Sequence, residues 1–336
     1  MPCLMAYESV GENLRKKIIS DDSFLLIIYS SVLLLGWHFG FFGKIADSDT
    51  YLQLIDEINK NGWIDGLDLG FISEVSFLQI FGITGADALE FLRFSIFITT
   101  VVGLAFAYKD RNKSHLGLIL FISFYGPLLS LVLIRGTPAY AFVYMAIYNL
   151  HYRKRLLSII CLIMGIVFHM SALIAMIILF FAYALNKNGV NIFENNKSLF
   201  FLLVAIVFVG ASFGGLDFLI GLSGYEKYGA YTENESLSIS FNHLIYYSII
   251  SLFVLMAYMN KSIYSALEAN YISLFFIFTI FVFMSPVLVF RSSIFWMPVL
   301  IYRIDEWKIF KKQSNRKFAT IFCIPAFFVS LISICS

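Results

Sequence analysis

The chain has 336 residues, of which 60% are apolar, 18% aromatic and only 14% charged, with a mean hydropathy of +0.82. That balance excludes a soluble enzyme or a nucleic-acid-binding module of this length and indicates an all-α, polytopic helical membrane protein. The net charge of +2 carries no partner information by itself, because in such a chain the distribution of Lys and Arg among the loops sets the topology.

A charged leader precedes the first apolar run, 24–42, which lacks a small-residue cleavage site and reads as a retained anchor. Further apolar segments lie near 91–108, 116–134, 137–150, 156–168, 171–185, 199–213, 244–259, 270–289, 292–304 and 318–335, about eleven spans in all, several of them short or broken against a hydrocarbon core of roughly 30 Å. Residues 43–90 form a first outer loop. Within it, 50–65 carries Leu52, Ile55, Ile58 and Ile64 with Trp63 among them, the pattern of an amphipathic helix lying in the interface. The next stretch, LGFISEVSFLQIFGI, is too polar to span and too apolar to hang in water, and reads as a re-entrant or surface helix carrying Glu74 inward. Arg93 is expected to pair with Glu90 one helical turn away. A second outer loop, 214–243, is rich in Gly and Tyr, and Tyr225, Tyr228 and Tyr231 offer rings that either stack on sugar faces or anchor at the interface. Cys3, Cys161, Cys323 and Cys335 have neither metal-ligand spacing nor a disulfide framework. No internal repeat is evident, so 1–336 reads as a single membrane domain, compatible with a GT-C-like architecture.

The cationic clusters test the topology. Alternating the spans puts Arg15 to Lys17, Lys109 to Lys113, Arg153 to Arg155, Lys187 with Lys197, Lys261 and Lys308 to Lys317 on one side, 17 of 24 basic residues. The positive-inside rule makes that side cytoplasm, with the N-terminus on it, and YRKR at 152–155 then serves as a topology determinant. The opposite side receives the two outer loops and three isolated ionisable residues: Arg135 in LVLIRGTPAYA, His169 in GIVFHMSALIA and Arg291 in VLVFRSSIFW. Ionisable groups at membrane depth face a partner, a cavity or a substrate. Short flanking spans would end below the outer surface and place all three in a recessed cavity. Gly136 and Pro138 fit a helix break or start beside Arg135, and Pro286 and Pro298 flank Arg291.

Several elements together carry a family likeness: D-x-Y at Asp49 and Tyr51, Glu74 in the following short helix, IRGTPAYA, the basic hairpin YRKR, FHMSALI and the late FRSS. From about 47 to about 300 the chain resembles the EpsG branch of the Wzy-type exopolysaccharide and O-antigen polymerases, FHMSALI being the most specific element. The resemblance implies polymerisation at the outer face of the bacterial cytoplasmic membrane, in which a glycan leaves its polyprenyl pyrophosphate carrier for the sugar end of another lipid-linked repeat unit. A chain-length regulator is a further partner of such systems.

The residue chemistry agrees with that expectation. Arg135 and Arg291 suit the oxygens of a pyrophosphate leaving group, and would offset the charge that develops on it. An attacking hydroxyl needs a proton acceptor, for which His169 stands first and Glu74 and Asp49 behind it. No cofactor or metal is expected, the arginines standing in for a divalent ion. The alternatives are a polyprenyl-phosphate-sugar-dependent glycosyltransferase, for which DSD at Asp47 to Asp49 would be the early acidic element, and a lipid-linked glycan transporter or ligase.

Overall fold

The computed structural model describes residues 48–64, 66–95, 116–193, 251–281, 286–301, 303–312 and 314–324. Every regular element among them is helical, as the composition requires. The α-helices are α1 (Ser48–Asn61), α2 (Leu69–Ile80), α3 (Leu116–Leu131), α4 (Thr137–His151), α5 (Arg155–Phe168), α6 (Ala172–Lys187), α7 (Ala266–Phe281) and α8 (Pro286–Ile301), with helical stretches also at 85–95, 251–259 and 314–324. The expected segments 24–42 and 199–213 lie outside the described residues, as do most of 91–108 and of 318–335. Among the described residues no helix is long and apolar enough to cross a membrane, and a helix such as α4, with 15 residues, is about 22 Å long.

Two compact units divide the chain, 1–173 with 304–336, and 174–303. The first begins with a helical cap. In α1, Tyr51, Ile55 and Ile58 fall on one face at helical spacing, and they pack against Phe71, Ile72, Val75 and Leu78 of α2 and Leu89 and Leu92 of the next helix. The amphipathic helix expected to lie flat in the interface is thus covered by its neighbours. Leu52 and Ile64 are only partly buried against this core, and Trp63 is 53% exposed.

Beneath the cap, α4 and α5 form a tight antiparallel hairpin closed by Tyr152 to Lys154, where Arg153 takes φ 61°. Small residues let the two helices approach: a Cβ on Gly165 would lie 3.5 Å from the Ala139 carbonyl and 3.6 Å from the Phe142 Cβ. Ser158 donates to the Ala146 carbonyl at 2.9 Å, and the Phe142 and Phe168 rings stack at 5.5 Å.

In the second unit α7 and α8 run antiparallel. The Tyr264 hydroxyl donates to Leu300, the Tyr271 hydroxyl to Phe295, and Thr279 meets Ser292, so rising numbers on one helix match falling numbers on the other. Helix α7 starts before the apolar run because Ser265 and Glu268 form a capping box: the Ser265 N–H donates to Glu268 Oε2 at 2.8 Å and the Glu268 N–H to Ser265 Oγ at 3.3 Å. Arg303 adds an ion pair to Glu268 at 2.9 Å. Both helices therefore sit earlier than the hydropathy segments 270–289 and 292–304.

Candidate functional site

The turn between α3 and α4 carries Arg135, and three contacts from the cap fix its backbone. The Tyr51 hydroxyl donates to the Val132 carbonyl at 2.9 Å, Arg93 Nη2 donates to the Leu131 carbonyl at 3.3 Å, and Ile134 is fully buried in the cap core. Arg93 also donates to Ser48 Oγ at 2.8 Å, so its bonds reach α1 and the Arg135 turn, while Glu90 acts on it only as a nearby charge. The helix restart follows the expected pattern, with Gly136 at the N-cap of α4 and Pro138 in its first turn. Thr137 Oγ1 donates to the Leu133 carbonyl at 2.8 Å and anchors the break from within.

His169 closes α5. It has extended φ and ψ, its N–H bonds the Gly165 carbonyl at 2.9 Å, and its carbonyl accepts from Ala172 at the start of α6. Because α4 and α5 are antiparallel, the start of one and the end of the other share one end of the hairpin. There the His169 ring lies beside the Arg135 turn: a Cβ on Gly136 would sit 3.6 Å from His169 Cδ2 and 3.4 Å from the Tyr140 hydroxyl. The ring is fixed locally, since Nδ1 accepts the Ser171 N–H at 3.1 Å and lies 2.7 Å from Ser171 Oγ. A backbone N–H can only donate, so Nδ1 is the acceptor and Nε2 carries the proton of the neutral ring.

Helix α2 rests on the same end of the hairpin. A Cβ on Gly70 would approach Phe168 Cδ1 to 2.5 Å and its Cα to 2.8 Å, so only glycine permits this contact. Glu74 follows Gly70 by one turn and therefore shares its face. It is half-buried and, among the described residues, makes no hydrogen bond or ion pair; burial pushes its carboxyl up from 4.5 to about 7. At the start of α2, Asp68 accepts from Arg135 Nη2 at 2.6 Å and Nε at 3.1 Å.

The structure thus brings Arg135, His169 and the Glu74 helix to one place, and adds two residues that sequence reasoning missed. Asp68 was one acid among several in a loop, in a position that reads as an ordinary helix cap. Ser171 was inside FHMSALI, where the two-residue spacing to His169 is the signal for a local hydroxyl-to-ring contact. Of the D-x-Y pair, Tyr51 is buried with a structural bond, and Asp49 is exposed in the first turn of α1. Arg291 belongs to the second unit and is half-buried in the second turn of α8. Sequence placed it in a break between spans with Pro286 and Pro298 flanking. Instead Arg291 lies within the helix Pro286–Ile301, with Pro298 also inside it. Tyr225, Tyr228 and Tyr231 lie outside the described residues.

No curated protein and no solved structure matches the chain. The EpsG family model matches residues 23–336, nearly the whole length and every element of the site above, and the chain belongs to the EpsG family.

Proposed function

We propose that this protein is a polysaccharide polymerase of the bacterial cytoplasmic membrane, joining polyprenyl-pyrophosphate-linked repeat units by glycosyl transfer at the outer face. Family membership supports the polysaccharide side of this reading. The observation that carries the chemistry is the meeting of the Arg135 turn with the His169 loop, under a helix that holds an unpartnered, half-buried Glu74. Membrane residence is supported by the exposed apolar face of α5, where Leu156, Ile159, Ile160 and Ile163 form a surface suited to lipid rather than water.

The proposed step is a single displacement. A hydroxyl of the acceptor sugar attacks the anomeric carbon of the growing glycan, and the bond from that carbon to the pyrophosphate oxygen breaks. The lipid pyrophosphate leaves with the electron pair, and the hydroxyl proton passes to a base. Glu74 suits that base: burial holds its carboxyl near neutrality, where a carboxylate is both available and basic enough to accept a proton. His169, the first candidate from sequence, presents an Nε2 donor while Nδ1 is engaged, which fits it to steady an oxygen of the leaving group or sugar. Arg135 and Arg291 are assigned to the pyrophosphate, Tyr225, Tyr228 and Tyr231 to the sugar, and Asp49 remains the reserve base.

Deletion of the gene followed by gel analysis of surface polysaccharide tests the reading. The expected result is single-repeat product in place of a ladder of lengths; loss of one sugar from every chain would instead identify the monophosphate-dependent glycosyltransferase. The orientation is tested by a reporter active only in the cytoplasm, which should work after Arg155 or Lys312 and fail after Asp65 or Thr232.

A further inference from the structure

Asp68 occupies the N-cap of α2, where an aspartate ordinarily accepts an N–H from the first turn of its own helix. Here it makes no such bond. Its Oδ2 instead accepts from both Nη2 and Nε of Arg135, at 2.6 Å and 3.1 Å. The Asp68 side chain is nearly buried, 8% exposed, while the Arg135 side chain remains 29% exposed. A guanidinium is a planar fork with two bidentate edges. Asp68 takes the side edge, Nε with Nη2, and among the described residues nothing bonds the end edge, Nη1 with the second Nη2 hydrogen. The backbone leading into Arg135 is held separately by the cap, at the Val132 carbonyl through Tyr51 and at the Leu131 carbonyl through Arg93. A long, rotamer-rich side chain is thus restrained from its turn and at its guanidinium, with the end-edge donors unused.

We propose that Asp68 is a positioning residue: it holds Arg135 by the side edge so that the end edge is presented, bidentate, to a phosphate group of a polyprenyl pyrophosphate. The identity of that phosphate carrier rests on the polymerase reading. Because the pair is neutral as a whole, it attracts phosphate through donor geometry more than through net charge. A bulk phospholipid diester also offers two free oxygens to such an edge, so selectivity rests on the extra free oxygen and charge that the terminal phosphate of the pyrophosphate gains when it leaves the sugar.

The test uses the full chain in phosphatidylcholine nanodiscs, titrated with polyprenyl pyrophosphate, and separately the polysaccharide ladder in cells. Asp68→Ala and Arg135→Ala should each weaken binding about 10-fold, and Asp68→Asn, which keeps the shape and one acceptor, about 3-fold. In an Arg135→Ala background neither Asp68 variant should add a further loss, because Asp68 acts only through Arg135. The asparagine variant keeps the cycle readable if the alanine variant fails to fold. Unchanged or tighter binding by the Asp68 variants, or losses that multiply with that of Arg135→Ala, would overturn the proposal, as would equal competition by phosphatidylglycerol. Coupled binding losses in a chain whose deletion leaves the ladder intact would sink the polymerase reading and leave the positioning role standing. A ladder that depends on the gene, with uncoupled losses, would do the reverse.

Discussion

Glu74→Gln separates a catalytic carboxylate from a merely buried one, because the two roles move activity and stability in different directions. In the unfolded chain the carboxyl ionises near 4.5; in the folded protein burial raises this to about 7. Between those values the unfolded chain gives up its proton first, so folding is penalised progressively as pH rises and the full penalty applies above about 7. At about 1.4 kcal/mol per pH unit the ceiling is about 3 kcal/mol, and the residue's partial exposure trims it to about 1–3 kcal/mol. Glutamine has nothing to ionise. The variant should match the parent in stability near pH 4.5 and exceed it increasingly up to pH 7 and beyond, as read by denaturant or thermal titration of purified protein. Its activity should fall by about 10²- to 10⁴-fold, the range for loss of a general base. The parent's kcat/KM should rise with pH through about 7 and the variant's should stay flat there. A stability gain with full activity would show that Glu74 is only a desolvated acid. Loss of both at every pH would show that it packs.

Arg135→Lys should polymerise little better than Arg135→Ala at equal membrane levels, since an ammonium lacks the planar fork that lets one edge hold Asp68 while the other grips a phosphate bidentately; ladder density against protein level measures this, and equal activity of lysine and arginine would point to plain charge attraction. His169→Gln should retain clearly more turnover than His169→Ala, because the glutamine amide can replace a ring donor and cannot replace a base; equal loss in single-turnover assays would return the base role to His169. Gly70→Ala should cost about 1–3 kcal/mol of stability through overpacking against Phe168. Its mark should be faster amide exchange in 48–80 than in α4, and uniform exchange rates would refute that docking role.

The helices from 116 to 187 were legible because local and global signals agree there. Gly136 with Pro138, the YRKR turn and the extended His169 each break an apolar run where hydropathy also dips. The cap helices were legible from their period, yet their covering was not, because period 3.6 marks an apolar face without saying whether lipid or another helix covers it. The α7 start was shifted because a capping box outweighs the position of the most apolar window. Within the site, Arg135, His169 and Glu74 stood out as ionisable groups in apolar surroundings. Asp68 did not, since an acid before a helix has a sufficient local explanation, and only its lack of a cap bond shows its partner to be 67 positions away.

The contacts that clamp the Arg135 turn also set an order of assembly. Tyr51 bonds across 81 positions, Arg93 across 38 and Asp68 across 67, and Gly70 waits for Phe168. Such distant closures lose more chain entropy before they gain contact energy, and they complete late. During synthesis the cap is made first, and its apolar faces can pack together at once. The bonds from Tyr51, Arg93 and Asp68 reach residues 132, 131 and 135 and need only the turn between α3 and α4, whereas the Gly70 contact cannot form until α5 has been made and turned back. A chain whose exit from the ribosome stops short of residue 168 would therefore hold a clamped Arg135 turn under an α2 that still lacks its seat on the hairpin. Full phosphate-binding capacity should emerge only once Phe168 and His169 have left the exit tunnel and seat that helix, as a late checkpoint in biogenesis.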